Sequence, residues 1–177
     1  MNKKLIAIAV LATSALTSGV FAAPGGDGTV RFTGEIIPQG CEVSADTKDQ
    51  IVNLKKIAAT AFPQSGATAG DKDFSIILTN CPTTVSTASV RFSGTQVPGN
   101  NAILALTTEP GVATGVGIQI SDSNNRVINL FQDSTPANLV SGSVENELKF
   151  VASYVSTADI VNPGVANAVS NFTIAYQ

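Results

Sequence analysis

Non-polar and polar residues alternate along residues 28–37, near the start of the chain. The non-polar set stands at every second position, and its members are Val30, Phe32, Gly34 and Ile36. Alternation with a period of two is typical of a β-strand with one buried and one solvated face. The run before it, 24–28, consists of proline, glycine and aspartate and is too flexible to pack. The sequence therefore predicts a strand on a loose tether, which must join a sheet of its own domain or of a neighbour.

The rest of the chain predicts short β-strands separated by turn residues. No stretch longer than one turn has helical periodicity, and the run 58–70 predicts a loop with at most one helical turn. Residues 121–125 predict a hairpin turn between two strands. The predicted strands cover 51–54, 74–80, 85–95, 103–106, 116–120, 126–130, 147–156 and 165–177. This pattern is typical of an all-β sandwich of immunoglobulin-like size, with a β-barrel as the alternative.

The first 22 residues have the pattern of an export signal. Two lysines precede an apolar run from Leu5 to Leu11, and Val20–Ala22 forms a small-residue cleavage site. The alternative is a transmembrane anchor, but serine and threonine interrupt the run, which falls short of the roughly 20 residues that a span needs. Cleavage after Ala22 leaves 155 of the 177 residues. We therefore expect a signal peptide (1–22), an N-terminal extension (23–37) and one domain (38–177).

The composition argues against several classes of function. Without the two lysines of the signal, the chain carries 8 basic and 13 acidic residues, a net charge of −5 with no basic cluster, which argues against nucleic-acid binding. The sequence has 0 histidines, so the usual nucleophile pairs and imidazole metal ligands are missing. The carboxylates are scattered through turn-like segments and form no pair suited to acid–base catalysis. We expect no enzyme, no metal or other cofactor and no small-molecule substrate.

The chain has two cysteines, Cys41 and Cys81. In an exported protein an even number of cysteines predicts a disulfide, whereas the alternative is two reduced cysteines in the core. The bridge would close a loop of about 40 residues and stabilise the domain by roughly 3–5 kcal/mol. Because disulfide geometry needs neighbouring backbones, the segment after the first predicted strand should lie beside the end of strand 74–80.

The strand at 28–37 leaves two arrangements open. It could be the first strand of its own domain. Alternatively, the domain could lack its last strand, and the extension of one copy could add a strand to the sheet of the next. The composition of the segment does not distinguish the two.

Several spaced features together carry a resemblance to a known family. They are the run Gly-Thr-Val-Arg-Phe-Thr-Gly-Glu-Ile-Ile before Cys41, the second cysteine in Leu78-Thr79-Asn80-Cys81, the penultimate Tyr176, Gly164 fourteenth from the end, and the alternating Phe172, Ile174 and Tyr176. With these features the mature chain resembles the subunits of chaperone–usher fimbriae of the type 1 pilin kind.

This resemblance implies a fold, a function and a set of partners. The fold would be an incomplete immunoglobulin-like sandwich that lacks its last strand. The subunit would be exported through the periplasm, delivered by a chaperone to an outer-membrane usher, and polymerised with other pilin subunits at the cell surface. The donor strand would present Gly28, Val30, Phe32, Gly34 and Ile36, and the acceptor groove and chaperone contact would involve Gly164, Phe172, Ile174 and Tyr176. The alternative function is a monomeric secreted β-sandwich that binds a carbohydrate or a receptor.

Overall fold

The computed structural model describes residues 29–177. These residues divide between an N-terminal unit that ends at Glu35 and a compact unit, Ile36–Gln177, which we call the domain. The predicted export signal and the residue Gly28 lie outside the described residues. Within 29–177, no helix is both long enough and apolar enough to cross a membrane.

The domain is an all-β sandwich of two sheets, as predicted. Its short helical elements are a single α-turn, α1 (Ala45–Lys48), and one 3-10 turn (Ala59–Ala61). The strands are β1 (Glu42–Val43), β2 (Thr68–Thr79), β3 (Thr87–Ser93), β4 (Gln96–Val97), β5 (Asn100–Leu104), β6 (Val116–Asp122), β7 (Ala137–Asn138), β8 (Asn146–Ser156) and β9 (Asn171–Tyr176).

All the strand pairs in both sheets are antiparallel. The larger sheet has the order β1-β2-β8-β6-β5-β4, and the smaller sheet has the order β7-β3-β9. The longest pairing joins β2 to β8, from Thr68 opposite Val155 to Leu78 opposite Asn146. In the smaller sheet β9 pairs with β3 from Ala88 opposite Tyr176 to Ser93 opposite Asn171. The C-terminal strand therefore forms one edge of its sheet.

The core lies between the two sheets. Alternate residues of β2, β3 and β8 point inward, and Ile76, Leu78 and Val90 are completely buried. Three phenylalanines from both sheets pack at the centre, with ring centroids 5.1 to 6.1 Å apart: Phe74, Phe92 and Phe150. Because aromatic rings bury large areas, this cluster contributes a major part of the apolar burial that joins the sheets.

The predicted disulfide between Cys41 and Cys81 is present and closes a loop of 40 residues. It ties the start of the domain to the end of β2. Cys81 also exchanges two backbone hydrogen bonds with Gly142, of 3.1 and 2.8 Å. The loop 139–145 is thus fixed directly to the disulfide.

The buried side chain of Asn146 holds the same loop in place. Its amide nitrogen donates to the carbonyls of Val140 and Val144, at 2.9 and 3.2 Å. Its oxygen accepts the N–H of Val140. Since a buried amide must satisfy its donors and its acceptor, these bonds fix the loop as firmly as a short strand would.

Two predicted strands are wrong. Residues 51–54 form no strand, although Val52 and Leu54 point inward as the alternation requires, because no other strand among residues 29–177 lies beside them. Residues 126–130 form only one bridge, between Ser121 and Val127. The turn before them is present, and there the carboxylate of Asp122 accepts the backbone N–H groups of Asn124 and Arg126.

The predicted C-terminal strand, 165–177, pairs only over β9. Before β9 the chain leaves β3 and follows the segment 107–114 instead, with hydrogen bonds from Ala113 to Val165 and from Thr107 to Asn167. The inward alternation nevertheless continues from Ala166 to Tyr176. The structure also adds the short strands β1, β4 and β7, which the sequence pattern did not predict.

Candidate functional site

An open groove of about 1030 Å³ runs along the domain. One wall is the segment 48–55, and the other is the C-terminal segment 166–174. Its floor is formed by core side chains of both sheets, among them Phe74, Ile76, Phe92, Leu104, Ile118 and Ile120. The groove therefore reaches down to the core of the sandwich, where Phe74 and Ile118 are half-buried and Ile76 is completely buried.

The C-terminal wall has a free backbone edge. β9 pairs with β3 on one side, and no strand of the described chain lies along its other side. Phe172 and Ile174, two of the residues that the sequence analysis assigned to the acceptor groove, lie in the lining of this groove. An edge of this kind presents unpaired N–H and C=O groups, which favour pairing with an added strand.

The opposite wall was not identified from the sequence. Residues 49–58 form no strand, and side-chain hydrogen bonds hold this part of the chain instead. The amide of Gln50 donates to the carbonyl of Ser75 at 3.0 Å, and the side-chain oxygen of Asn53 accepts the N–H of Lys55 at 2.8 Å. The only signal in the sequence was the alternation at 51–54, which predicted a strand but gave no indication that its partner was missing.

Tyr176 lies beside the disulfide rather than in the lining of the groove. Its hydroxyl donates to the carbonyl of Cys41 at 3.3 Å, and its ring packs on Gly40. A Cβ atom at Gly40 would lie 2.4 Å from the ring, so no other residue fits there without a shift. Burial raises the pKa of the Tyr176 phenol. Tyr176 thus stays neutral and anchors the first residues of the domain to its last strand.

Gly164 also lies outside the lining of the groove. It packs against the backbone of 111–113, and a Cβ atom at this position would lie 2.4 Å from the carbonyl oxygen of Gly111. Two hydrogen bonds, from Val165 to Gly111 and from Ala113 to Val165, fix the chain here. Gly164 therefore allows the close backbone approach that positions the start of the C-terminal wall.

The predicted donor residues are exposed. The exposed fractions of Val30, Phe32 and Ile36 are 75, 92 and 97%. No strand forms over residues 29–36, so the alternative in which this segment is the first strand of its own domain is not observed in the structure. Three large apolar side chains thus remain in solvent within one chain that also has an open apolar groove.

The described chain brings together no candidate metal site. Within residues 29–177, no three cysteine, aspartate or glutamate side chains come close enough to hold an ion. The carboxylate with a clearly shifted pKa is Asp122. Its burial favours a higher pKa, but hydrogen bonds from the N–H groups of Arg126 and Asn124 and from the hydroxyl of Thr135 outweigh this effect and lower the pKa. Asp122 therefore fixes the turn at 122–126.

The two antiparallel sheets and the open groove along the last strand define the class of protein. It is an incomplete immunoglobulin-like domain. A family model described as "Fimbrial protein" matches residues 30–177. The chain therefore belongs to the fimbrial protein family.

Individual relatives agree with this assignment. The chain is 39% identical over 179 residues to the probable major fimbrial subunit LpfA of Escherichia coli O157:H7, covering 100% of this chain and 98% of the relative. It is 34% identical to a solved type I fimbria protein and antigen of Burkholderia pseudomallei, with a TM-score of 0.60 over 84% of this chain and 97% of that one. The fold is also similar to the P pilus rod subunit PapA, with a TM-score of 0.66 at 24% identity, covering 78% of this chain and all of that chain.

Proposed function

We propose that this chain is a structural subunit of a surface fimbria and that the subunits polymerise head to tail by donor-strand exchange. In this process residues 28–36 of one copy fill the groove of the next. The observation that carries the proposal is the combination, in one chain, of an open apolar groove beside the free edge of β9 and an exposed apolar ladder with strand periodicity. Membership of the fimbrial family, and a relative named as a probable major fimbrial subunit, support a role in the shaft.

Burial of the donor side chains provides the driving force. Val30, Phe32 and Ile36 pass from solvent into an apolar groove, and full burial of such side chains is worth roughly 1.5–3 kcal/mol each. The added strand also satisfies the free edge of β9. Because the joint is head to tail, it extends into an open filament and does not close. Dissociation requires the whole strand to leave at once, so the joint is kinetically stable.

The same features require protection before assembly. An open groove floored by apolar side chains, next to an exposed strand edge, is a site of aggregation. A periplasmic chaperone solves this problem by lending a strand that contacts Phe172 and Ile174 of the C-terminal wall. The strand of an incoming subunit then replaces it at an outer-membrane usher, and the fibre reaches the cell surface. In this role the subunit catalyses no reaction.

The test is gel electrophoresis of fibres sheared from cells, with and without heating in denaturant. We expect a ladder of multimers in the unheated sample that collapses to one band on heating. Deleting residues 24–36 should abolish the ladder of that variant. If this deletion variant carries an affinity tag and is expressed together with the wild-type chain, each multimer should contain only one copy of it, at one end. The reason is that the variant has a groove but no donor strand. A single monomer band in the unheated wild-type sample would instead favour the secreted binding module.

A further inference from the structure

The packed part of the domain begins immediately after Ile36, the last residue of the predicted donor strand. Ile36 is fully exposed, whereas the next residue, Ile37, packs on the core of the domain. Consecutive Cα atoms are only about 3.8 Å apart. Four residues later the disulfide fixes Cys41. If Ile36 enters the groove of another copy, the two domains must therefore touch, because no linker separates them.

An exposed apolar patch lies at this end of the domain. The loop 139–145 is fixed to Cys81 by the hydrogen bonds of Gly142, and Cys81 is bonded to Cys41. On either side of Gly142 the loop presents Val140 and Val144, with exposed fractions of 57 and 51%. We call these two side chains the exit patch. Since Asn146 holds the loop and Gly142 joins it to Cys81, the patch has a fixed place at the end of the domain that contains the disulfide.

The direction of the added strand determines which surface the exit patch meets. All the pairs in both sheets are antiparallel, and sheets of a single sense are favoured over mixed ones. A donor strand that adds to β9 in the antiparallel sense places its C-terminal residue, Ile36, at the start of the C-terminal wall. The chain just before that wall is fixed by backbone hydrogen bonds of Asn162 and Val165 to the segment 111–114.

This second end of the domain is also apolar. Ile160 and Val165 are large side chains with exposed fractions of 73 and 41%. We call them the entry patch. The backbone of Ile160 lies against Gly115, and Val165 bridges Val112, so both residues have fixed positions.

We propose that the exit patch of each subunit packs on the entry patch of the subunit that accepts its donor strand. This proposal rests on the proposed donor-strand exchange, which brings the two ends together. The partner is a second copy of this chain, because the covalent reach from Ile36 to Ile37 leaves room for nothing else. The two small apolar patches add a second point of contact to each joint, and this contact fixes the angle between successive subunits.

Photo-crosslinking in assembled fibres tests the contact directly. We would replace Val144 with benzoylphenylalanine in the full chain, irradiate the fibres and identify the linked peptides by mass spectrometry. We expect adducts between residue 144 of one copy and the segment 160–165 of another. The matched control is the same substitution at Lys149, an exposed position in the middle of β8, which should give at least tenfold less of that adduct.

A pair of complementary charges introduced at the two patches gives a second readout. Fibres with Val144→Asp should bend more, with a persistence length in electron micrographs reduced at least twofold. The added substitution Ile160→Lys should restore it. If multimers form but residue 144 gives no more of the adduct than residue 149, the contact is refuted while donor-strand exchange stands. If the wild-type chain forms no multimers, both proposals fail.

Discussion

Phe32 offers the sharpest separation between the stability of the subunit and that of the fibre. Its side chain is 92% exposed in the free chain, so Phe32→Ala removes almost no contact from the domain. We expect the free energy of unfolding of the subunit to change by less than about 0.5 kcal/mol, as for other surface substitutions. In the proposed fibre the same side chain would occupy the groove of the next copy. There its removal should cost about 3 kcal/mol, since truncation of a buried phenylalanine leaves a cavity.

A loss of about 3 kcal/mol per joint corresponds to roughly a hundredfold change in the equilibrium constant for strand insertion. The assay exposes sheared fibres to increasing guanidinium chloride and follows the multimer fraction on unheated gels, while the unfolding of the isolated subunit is followed by circular dichroism. Thr33→Ala is the matched control because Thr33 lies on the opposite face of the same strand. Equal shifts of the multimer midpoint in the two variants would refute the reasoning. So would a loss of stability in the isolated Phe32→Ala subunit as large as the loss in the multimer.

Two further predictions concern the domain itself. Gly164→Ala should destabilise the domain by about 1–3 kcal/mol in denaturant unfolding, because its Cβ would lie 2.4 Å from the carbonyl oxygen of Gly111. Gly34→Ala is its control, since nothing lies within 4 Å of a Cβ there, and an unchanged midpoint for Gly164→Ala would contradict the close approach. The lowered pKa of Asp122 stabilises the folded state above the ordinary pKa of aspartate, and this stabilisation is lost as the pH falls below about 4. Asp122→Asn should lack this part of the acid dependence, whereas identical pH profiles of the denaturation midpoint in the two proteins would show that Asp122 does not contribute.

Much of the sandwich could be predicted from the sequence because its central strands have clear hydrophobic patterns. The apolar run 74–80 lies in β2, and the alternating residues 147–156 lie in β8. The disulfide followed from the number of cysteines and the export signal, and the structure confirms it.

The errors in the sequence analysis have physical causes that the pattern does not contain. Residues 51–54 alternate like a strand, but strand formation also needs a neighbouring backbone, and none lies beside this segment. At 126–130 the carboxylate of Asp122 accepts backbone N–H groups and directs the chain away from a regular hairpin. The wall of the groove at 48–55 was missed for the first of these reasons, because the alternation at 51–54 does not show that a partner strand is missing.

The position of the disulfide determines how the subunit carries mechanical load. A pull on the donor segment enters the domain at Ile37 and reaches Cys41 within four residues, where the covalent bridge passes the force to Cys81. Cys81 follows β2, the strand that pairs with β8 from Thr68 to Leu78. Tension therefore acts on the most extensively paired strands of the sandwich, and the 40-residue loop inside the bridge cannot be drawn out as slack. In the proposed fibre the bridge would therefore keep the start of each subunit from being pulled out of its sandwich under tension.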